Sequence, residues 1–254
     1  MKVRILGSGT SSGVPRIGND WGACDPSDPR NRRTRASILV ETAEARVLID
    51  TSPDMRAQLL AANVGTVDAV IWTHDHADHC HGIDDLRQIF HVIGGPVPGF
   101  ARRDTLASLT ARFAYVFAGR DGYPPTVAGE PLPDQMTIGD LSIRVVDQPH
   151  GSITAAGLRF EAAGRSMVYA TDFKHLTADM ATLYENADVW IADALRRRPH
   201  PTHATVDEVI GWSRDLGVAR TVLIHMDQSM DYATLARELP AGIEPGYDGL
   251  EIVL

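Results

Sequence analysis

Cysteine is scarce in this chain, since Cys24 and Cys80 are the only two among 254 residues. Two thiols in so long a chain provide no disulfide framework, which favours a reducing compartment. No stretch approaches the roughly 20 consecutive apolar residues that a membrane-spanning helix needs. The apolar run within residues 1–7 is too short for the core of a signal peptide. We therefore expect a cytoplasmic protein without a membrane segment.

Basic residues are also in deficit, with 24 Lys and Arg against 33 Asp and Glu and a formal net charge of -9. This balance disfavours general nucleic-acid binding, which usually requires a basic excess. With 44% hydrophobic and 22% charged residues, the composition is that of an ordinary globular enzyme. We expect residues 1–254 to form one domain around one large core.

Histidine, by contrast, is concentrated, because five of the ten histidines fall between His74 and His91. The segment His74-Asp75-His76-Ala77-Asp78-His79 follows an apolar strand predicted at 67–73 and precedes helical spacing at 82–90. On extended backbone, two imidazoles two residues apart point the same way, whereas Asp78 and His79 turn toward a neighbouring position. One short loop can thus serve two divalent metal ions.

Three later residues that each end or follow a predicted strand, His150, Asp172 and His225, are further candidate ligands. A carboxylate such as Asp172 can bridge two cations, as two-metal hydrolases require; the alternative is a helix N-cap. Hairpins followed by strand-helix units recur in both halves of the chain. The pattern predicts an α/β fold of two sheets packed between outer helices, with polar residues at strand ends.

The order of Asp50, the His-x-His-x-Asp-His motif, His150, Asp172 and His225 resembles the metallo-β-lactamase superfamily over nearly the whole chain. The resemblance implies an αββα sandwich with a binuclear site, in which Asp50 is an acid near the ligand loop. It implies that one metal is held by His74, His76 and His150, the other by Asp78, His79 and His225, and that Asp172 bridges them. Zinc or manganese suits these ligands, with iron as a further alternative.

Two flanking segments, residues 6–15 and 246–252, are similar to the cyclic phosphate phosphodiesterases of the carbon-phosphorus lyase pathway. Those relatives carry a structural zinc built from several cysteines and a second histidine three residues after the last catalytic one. Here only Cys24 remains in the N-terminal segment, and Gln228 takes the place of that histidine. We therefore expect no structural zinc.

His203, in the segment Thr202-His203-Ala204-Thr205, resembles the motif by which phosphodiesterase members, including the tRNA 3'-processing nucleases, place a histidine beside the scissile phosphate. It would protonate the leaving oxygen, which makes His203, Asp78 and Asp172 the predicted catalytic residues. The alternative is a polar residue preceding a helix capped by Thr205. The remaining histidines match no motif and are expected at the surface or in helices: His81, His91, His175 and His200.

These features predict a binuclear phosphodiesterase that converts a small, cyclic phosphodiester or nucleotide to a monoester. The alternatives are a thioesterase of the glyoxalase II type, a lactonase or a lactamase, and a noncatalytic nucleotide-binding or metal-storage protein. A tRNA-processing nuclease is disfavoured because no basic insertion is present, so no stable nucleic-acid complex is expected. A homodimer is an alternative to a monomer.

Several loops complete the prediction. The Ser/Gly-rich segment 8–13 and the aromatic segment 113–123 are candidate walls of the substrate site. The stretch 115–133 is predicted to be a long loop, and such loops often act as lids. The basic segment 21–35 is predicted to be an extended surface segment whose charges are solvated.

Overall fold

The computed structural model describes all 254 residues and contains fourteen strands. In chain order these are β1 (Lys2–Gly7), β2 (Ser37–Glu41), β3 (Arg46–Ile49), β4 (Ala69–Trp72), β5 (Val97–Ala101), β6 (Val127–Pro131), β7 (Gln135–Ile138), β8 (Leu141–His150), β9 (Ile153–Ala162), β10 (Arg165–Ala170), β11 (Val189–Asp193), β12 (Arg220–Ile224), β13 (Ile243–Pro245) and β14 (Glu251–Val253). They form two seven-stranded sheets with the orders β14-β1-β2-β3-β4-β5-β6 and β13-β12-β11-β10-β9-β8-β7.

The structure contains eight α-helices. They are α1 (Met55–Ala61), α2 (Ala77–Cys80), α3 (Leu86–Ile93), α4 (Arg103–Arg112), α5 (Ala114–Ala118), α6 (Ala178–Tyr184), α7 (Val206–Asp215) and α8 (Tyr232–Glu238). The amide of Glu208 donates to the Thr205 side chain, and this capping box starts α7. No helix is both long and apolar enough to cross a membrane.

Three apolar layers hold these elements together. The middle layer lies between the sheets, where alternate strand residues such as Ile38, Val40, Ile143 and Phe160 are fully buried. The first sheet packs its other face against α1, α3, α4 and α5, and the second sheet packs against α6, α7 and α8. The predicted αββα sandwich is confirmed.

Strand direction brings the predicted polar residues to one edge of the sandwich. Strands β3 to β6 are parallel to one another, as are β10 to β13. Strand β8 points the same way as β10, because both are antiparallel to β9. At this edge the sheets are joined directly, since the amide of Ala156 donates to the carbonyl of Thr73 at 2.8 Å. The carboxyl ends of these strands therefore meet where the site is expected.

The stretch 115–133 is not the long loop that the sequence predicts. It contains most of α5 and all of β6, and β6 pairs in parallel with β5 from Val97 opposite Val127 onward. Strand β6 lies at the edge of its sheet, where proline and glycine are tolerated because one side of the strand needs no ladder partner. The proline and glycine content of this stretch therefore led to the incorrect prediction of a loop.

The prediction of solvated charge for segment 21–35 is wrong at Arg33, which is buried. Its guanidinium donates to the carbonyls of Met230 at 2.5 Å and Asp227 at 3.3 Å. The Cys24 thiol lies 3.7 Å from Arg33 Nη1. Arg33 thus ties the N-terminal segment to the chain that follows the last predicted ligand, His225.

Replacing Arg33 with alanine is expected to lower the free energy of unfolding by about 2 to 4 kcal/mol. The Met230 carbonyl loses its donor, the Asp227 carbonyl keeps only the Met230 amide, and a long buried side chain leaves a gap. Urea unfolding measures this change. The matched control is Arg32→Ala at the exposed neighbouring position, which should leave the free energy of unfolding nearly unchanged. Equal stability of the two variants would refute a structural role for the buried arginine.

Candidate metal centre

All seven predicted ligands meet at the shared strand edge. His74 follows β4, and the next turn of chain through α2 carries Asp78 and His79. His150 is the last residue of β8, whereas Asp172 and His225 follow β10 and β12. Their candidate ligand atoms form two groups, each with its atoms within 4.8 Å of one another, and a third such group joins Asp172 and His225 to His203.

Three residues at this edge have a left-handed backbone. Asp50, Asp172 and His225 have φ angles of 64°, 52° and 58°, a region that costs a non-glycine residue about 1 to 2 kcal/mol. Each lies just beyond a strand, where the turn takes the chain abruptly out of the sheet. Strain of this kind persists where the surrounding structure fixes it, as at functional sites.

The first group consists of His74, His76, His150 and one oxygen of Asp172. Asp172 Oδ2 lies 3.6 Å from His74 Nε2 and 3.5 Å from His150 Nε2. His76 Nδ1 lies 3.2 Å from His150 Nε2. His76 is exposed, whereas the other three residues are buried. The first group therefore extends from the interior to the protein surface.

The second group consists of Asp78, His79 and His225, and the other oxygen of Asp172 faces it. Asp172 Oδ1 lies 3.3 Å from His79 Nε2 and 3.4 Å from His225 Nε2. Asp78 Oδ2 lies 3.3 Å from His79 Nε2 and 3.4 Å from His225 Nε2. The two oxygens of Asp172 thus face different groups.

The donor atoms fit a bound cation. His74 Nε2 and His79 Nε2 are buried and make no hydrogen bond, which would be costly unless another partner is intended. Burial and the neighbouring His79 lower the pKa of His74, so its imidazole is neutral, as a ligand must be. Burial alone would lower the pKa of His79, but the carboxylates of Asp172 and Asp78 raise it. A site that stabilises a proton there also favours a metal cation.

Contacts behind the cluster fix the orientation of its rings. Asp50 Oδ2 accepts from His79 Nδ1 at 2.7 Å, and the amide of Thr73 donates to Asp50 Oδ1 at 2.8 Å. His150 Nδ1 donates to the carbonyl of Thr202 at 3.1 Å. In both histidines Nδ1 makes this hydrogen bond, so Nε2 is the nitrogen that faces the cluster. This arrangement is usual for metal-binding histidines.

Helix α4 supports the ligand loop from the side. Ser108 Oγ donates to Asp75 Oδ2 at 2.5 Å, and Arg112 contacts both the carbonyl and the carboxylate of Asp75. Arg112 Nη2 also lies 2.9 Å from His81 Nε2. These contacts hold the residue between His74 and His76, and they occupy His81 outside the cluster.

A buried tyrosine and glutamine relate the positions of His150 and Asp172. Gln148 Nε2 donates to the carbonyl of Thr171 at 2.7 Å, and Tyr184 donates to Gln148 Oε1 at 2.7 Å. The network needs glycine at position 157, because a Cβ there would lie 1.7 Å from the Tyr184 hydroxyl. The end of β8 is thereby fixed against the residue preceding Asp172.

His203 lies beside the cluster with an acidic partner that sequence analysis missed. Asp193 Oδ2, fully buried at the end of β11, accepts from His203 Nδ1 at 2.7 Å. His203 Nε2 lies 3.9 Å from Asp172 Oδ2. Burial alone would lower the pKa of His203, but the carboxylates of Asp193 and Asp172 outweigh it and raise the pKa to about 9. The feature of the sequence that could have identified Asp193 is its position at the end of a predicted strand.

The two predicted substrate walls have different outcomes. The segment 8–13 runs beside the last candidate ligand, since the amide of Thr10 donates to the carbonyl of Met226 at 3.2 Å. Of the segment 113–123, Phe113 lies 5.7 Å from the His81 ring. After α5, the Tyr123 ring lies 5.2 Å from the Arg87 guanidinium, and both residues line a cavity whose lining includes none of the candidate ligands.

Comparison with known proteins agrees with this geometry. The β-lactamase superfamily domain matches residues 45–226. A zinc-bound PqqB from Methylobacterium extorquens shares the fold, with a TM-score of 0.80, 22% identity and full coverage of both chains. Fold and site together define a metal-dependent hydrolase of the metallo-β-lactamase fold.

More specific similarity comes from the crystal structure of a diphosphatase of the PhnP family. It superimposes with a TM-score of 0.90 and 35% identity, covering 99% of this chain and 96% of that one. The chain belongs to this family. An octanoyltransferase of Porphyromonas gingivalis is 36% identical over the whole chain, which spans about half (52%) of that protein's length.

Proposed function

We propose that this hydrolase is a binuclear phosphodiesterase acting on a small substrate, either a cyclic phosphodiester, a nucleotide or a diphosphate diester. The observation that carries the proposal is the Asp172 carboxylate, whose two oxygens face two separate groups of candidate ligands. Because both sheets contribute ligands, we also propose that residues 1–254 act as one domain.

Each group would hold one divalent cation, with zinc or manganese favoured by the imidazole and carboxylate donors and iron as the alternative. The first ion would be held by His74, His76 and His150, the second by Asp78, His79 and His225, with Asp172 shared. When bound, two such ions supply Lewis acidity, neutralise phosphate charge and activate water near neutral pH.

His203 would supply the proton for the leaving group. Asp193 holds the Nδ1 proton of His203, so Nε2 is the nitrogen that faces the cluster. With its pKa raised to about 9, His203 is protonated at neutral pH. As water adds to phosphorus and the P–O bond breaks, Nε2 would donate its proton to the departing oxygen.

A phosphate substrate is supported by the related diphosphatase and by this acid, because an alkoxide leaves poorly without a proton. The net charge of -9 supports a small substrate over a long nucleic acid. We also propose that no stable nucleic-acid complex forms.

The test is a panel of substrates with metal-depleted protein and with protein reconstituted with zinc or manganese. The panel contains bis(p-nitrophenyl) phosphate, p-nitrophenyl phosphate, a dinucleoside diphosphate, a thioester and a lactone. We expect metal-dependent cleavage of the diester or the diphosphate, little cleavage of the monoester, and two bound metal ions per chain. Turnover of the thioester or lactone alone would refute the phosphate assignment, and a single bound ion would refute the binuclear one.

A further inference from the structure

The carboxylate of Asp193 lies between two of the segments that supply candidate ligands. Strand β11, which ends at Asp193, is the neighbour of both β10 and β12 in the second sheet. All three strands are parallel, so their carboxyl ends lie side by side. Because Asp172 follows β10 and His225 follows β12, Asp193 approaches the cluster from the strand between them.

One oxygen of this carboxylate has two donors. Asp193 Oδ2 accepts from His203 Nδ1 at 2.7 Å and from the amide of Phe173 at 3.4 Å. The second contact ties the carboxylate to the residue that follows Asp172. Oδ2 therefore serves the acid and the turn after β10, and Oδ1 is left for another partner.

The other oxygen faces His225 in the interior. Asp193 Oδ1 lies 3.7 Å from His225 Nδ1. Both atoms are buried, and neither makes a hydrogen bond. The two residues are at most 1% exposed, so bulk water does not reach these atoms. An unpartnered polar atom in the interior is costly, and here two of them lie next to each other.

The opposite side of the His225 ring shows which of its nitrogens carries the proton in a metal-bound state. His225 Nε2 lies 3.4 Å from oxygens of both Asp78 and Asp172, so Nε2 is the nitrogen available to a cation. A neutral imidazole that binds a cation through Nε2 carries its single proton on Nδ1. That proton needs an acceptor, and Asp193 Oδ1 is the carboxylate oxygen beside it.

We propose that Asp193 is a positioning residue for the second group of candidate metal ligands, in addition to its contact with the acid His203. The rings of His203 and His225 are nearly parallel, with an interplanar angle of 15° and centroids 4.9 Å apart. The Nδ1 of each ring faces a different oxygen of Asp193. One carboxylate thus orients a metal ligand and the proton donor together. This inference rests on the proposed function, which places a cation against His225.

Stepwise zinc titration of the metal-depleted protein against a competing chelator tests this role. His225→Ala identifies the ion that depends on the second group. Asp193→Asn is expected to weaken the binding of that ion by about 10- to 100-fold, the effect usual for residues that orient a metal-binding histidine. The physical reason is that the amide offers an acceptor oxygen to only one of the two histidines. The other ion should weaken by less than about threefold.

Two variants serve as controls. Asp188→Asn makes the same change just before the other end of β11, where the carboxylate accepts from the Ser166 amide at 2.8 Å, and both ions should bind as in the wild type. His203→Gln removes the acid but keeps the carboxylate beside His225, so it should weaken the His225-dependent ion by less than about threefold. Equal weakening by Asp193→Asn and His203→Gln, or equal weakening of both ions by Asp193→Asn, would overturn the proposed role.

A second measurement uses the wild-type chain, so it does not depend on the folding of a variant. In the zinc-loaded protein, we expect nitrogen-edited NMR of the histidine side chains to show His225 protonated at Nδ1, with this proton protected from exchange. A proton at Nε2 would contradict the inference.

Neither measurement uses a substrate, so failure of the hydrolysis panel is a separate result. Absence of any His225-dependent ion would refute the binuclear proposal and this inference together. A His225-dependent ion that is insensitive to Asp193→Asn would overturn this inference alone.

Discussion

Asp172→Asn is expected to remove hydrolysis and to lower metal affinity by more than about 100-fold, beyond the effect usual for residues that only orient a ligand. The amide retains one acceptor oxygen and replaces the other with a donor. That donor would face either His74 and His150 or His79 and His225, so one group loses its shared oxygen. The charge that balances two cations is lost as well.

Metal content after dialysis, measured beside activity on the best substrate of the panel, tests this expectation. The content should fall from two ions to at most one per chain. Asp179→Asn, at an exposed position of α6, is the matched control and should keep both ions. If Asp172→Asn retained two ions and most of its activity, Asp172 would not be a bridging ligand.

The meeting of the seven predicted ligands at one edge could be expected from the sequence because these residues carry strong local signals. Four of the seven lie in one segment of six residues, from His74 to His79. The other three end or follow apolar strands, and parallel strands bring their carboxyl ends to one edge. Local pattern and sheet topology therefore agreed, and the predicted residues meet in the structure.

Other features depend on contacts that local patterns do not encode. Arg33 lies in a polar segment with several arginines, and only its long-range contacts to Asp227 and Met230 distinguish it from its solvated neighbours. Strand β6 has Gly and Pro at positions where only an edge strand tolerates them. Asp193 is one of several polar residues that end an apolar strand. Only the three-dimensional structure shows its hydrogen bond of 2.7 Å with His203.

The pairing of His203 with Asp193 gives the second large expected effect. His203→Gln is expected to lower kcat about 1000-fold for a diester with an alkoxide leaving group, within the range for loss of a general acid. For bis(p-nitrophenyl) phosphate the loss should be much smaller, because p-nitrophenolate is a stable anion and needs little protonation. Metal content should stay at two ions per chain in both cases. A purely structural role would reduce the two activities equally.

Asp193→Asn tests the same acid through pH. In the wild-type protein, burial alone would lower the pKa of His203, and the carboxylate of Asp193 is foremost among the groups that raise it to about 9. Activity that needs protonated His203 is therefore present below this pH and is lost as pH rises through it. Without the carboxylate the pKa should fall toward or below the ordinary histidine value of about 6.5, which shifts the alkaline limb of kcat to lower pH. If the alkaline limb of the pH profile of kcat did not shift in Asp193→Asn, another group would have to donate the proton.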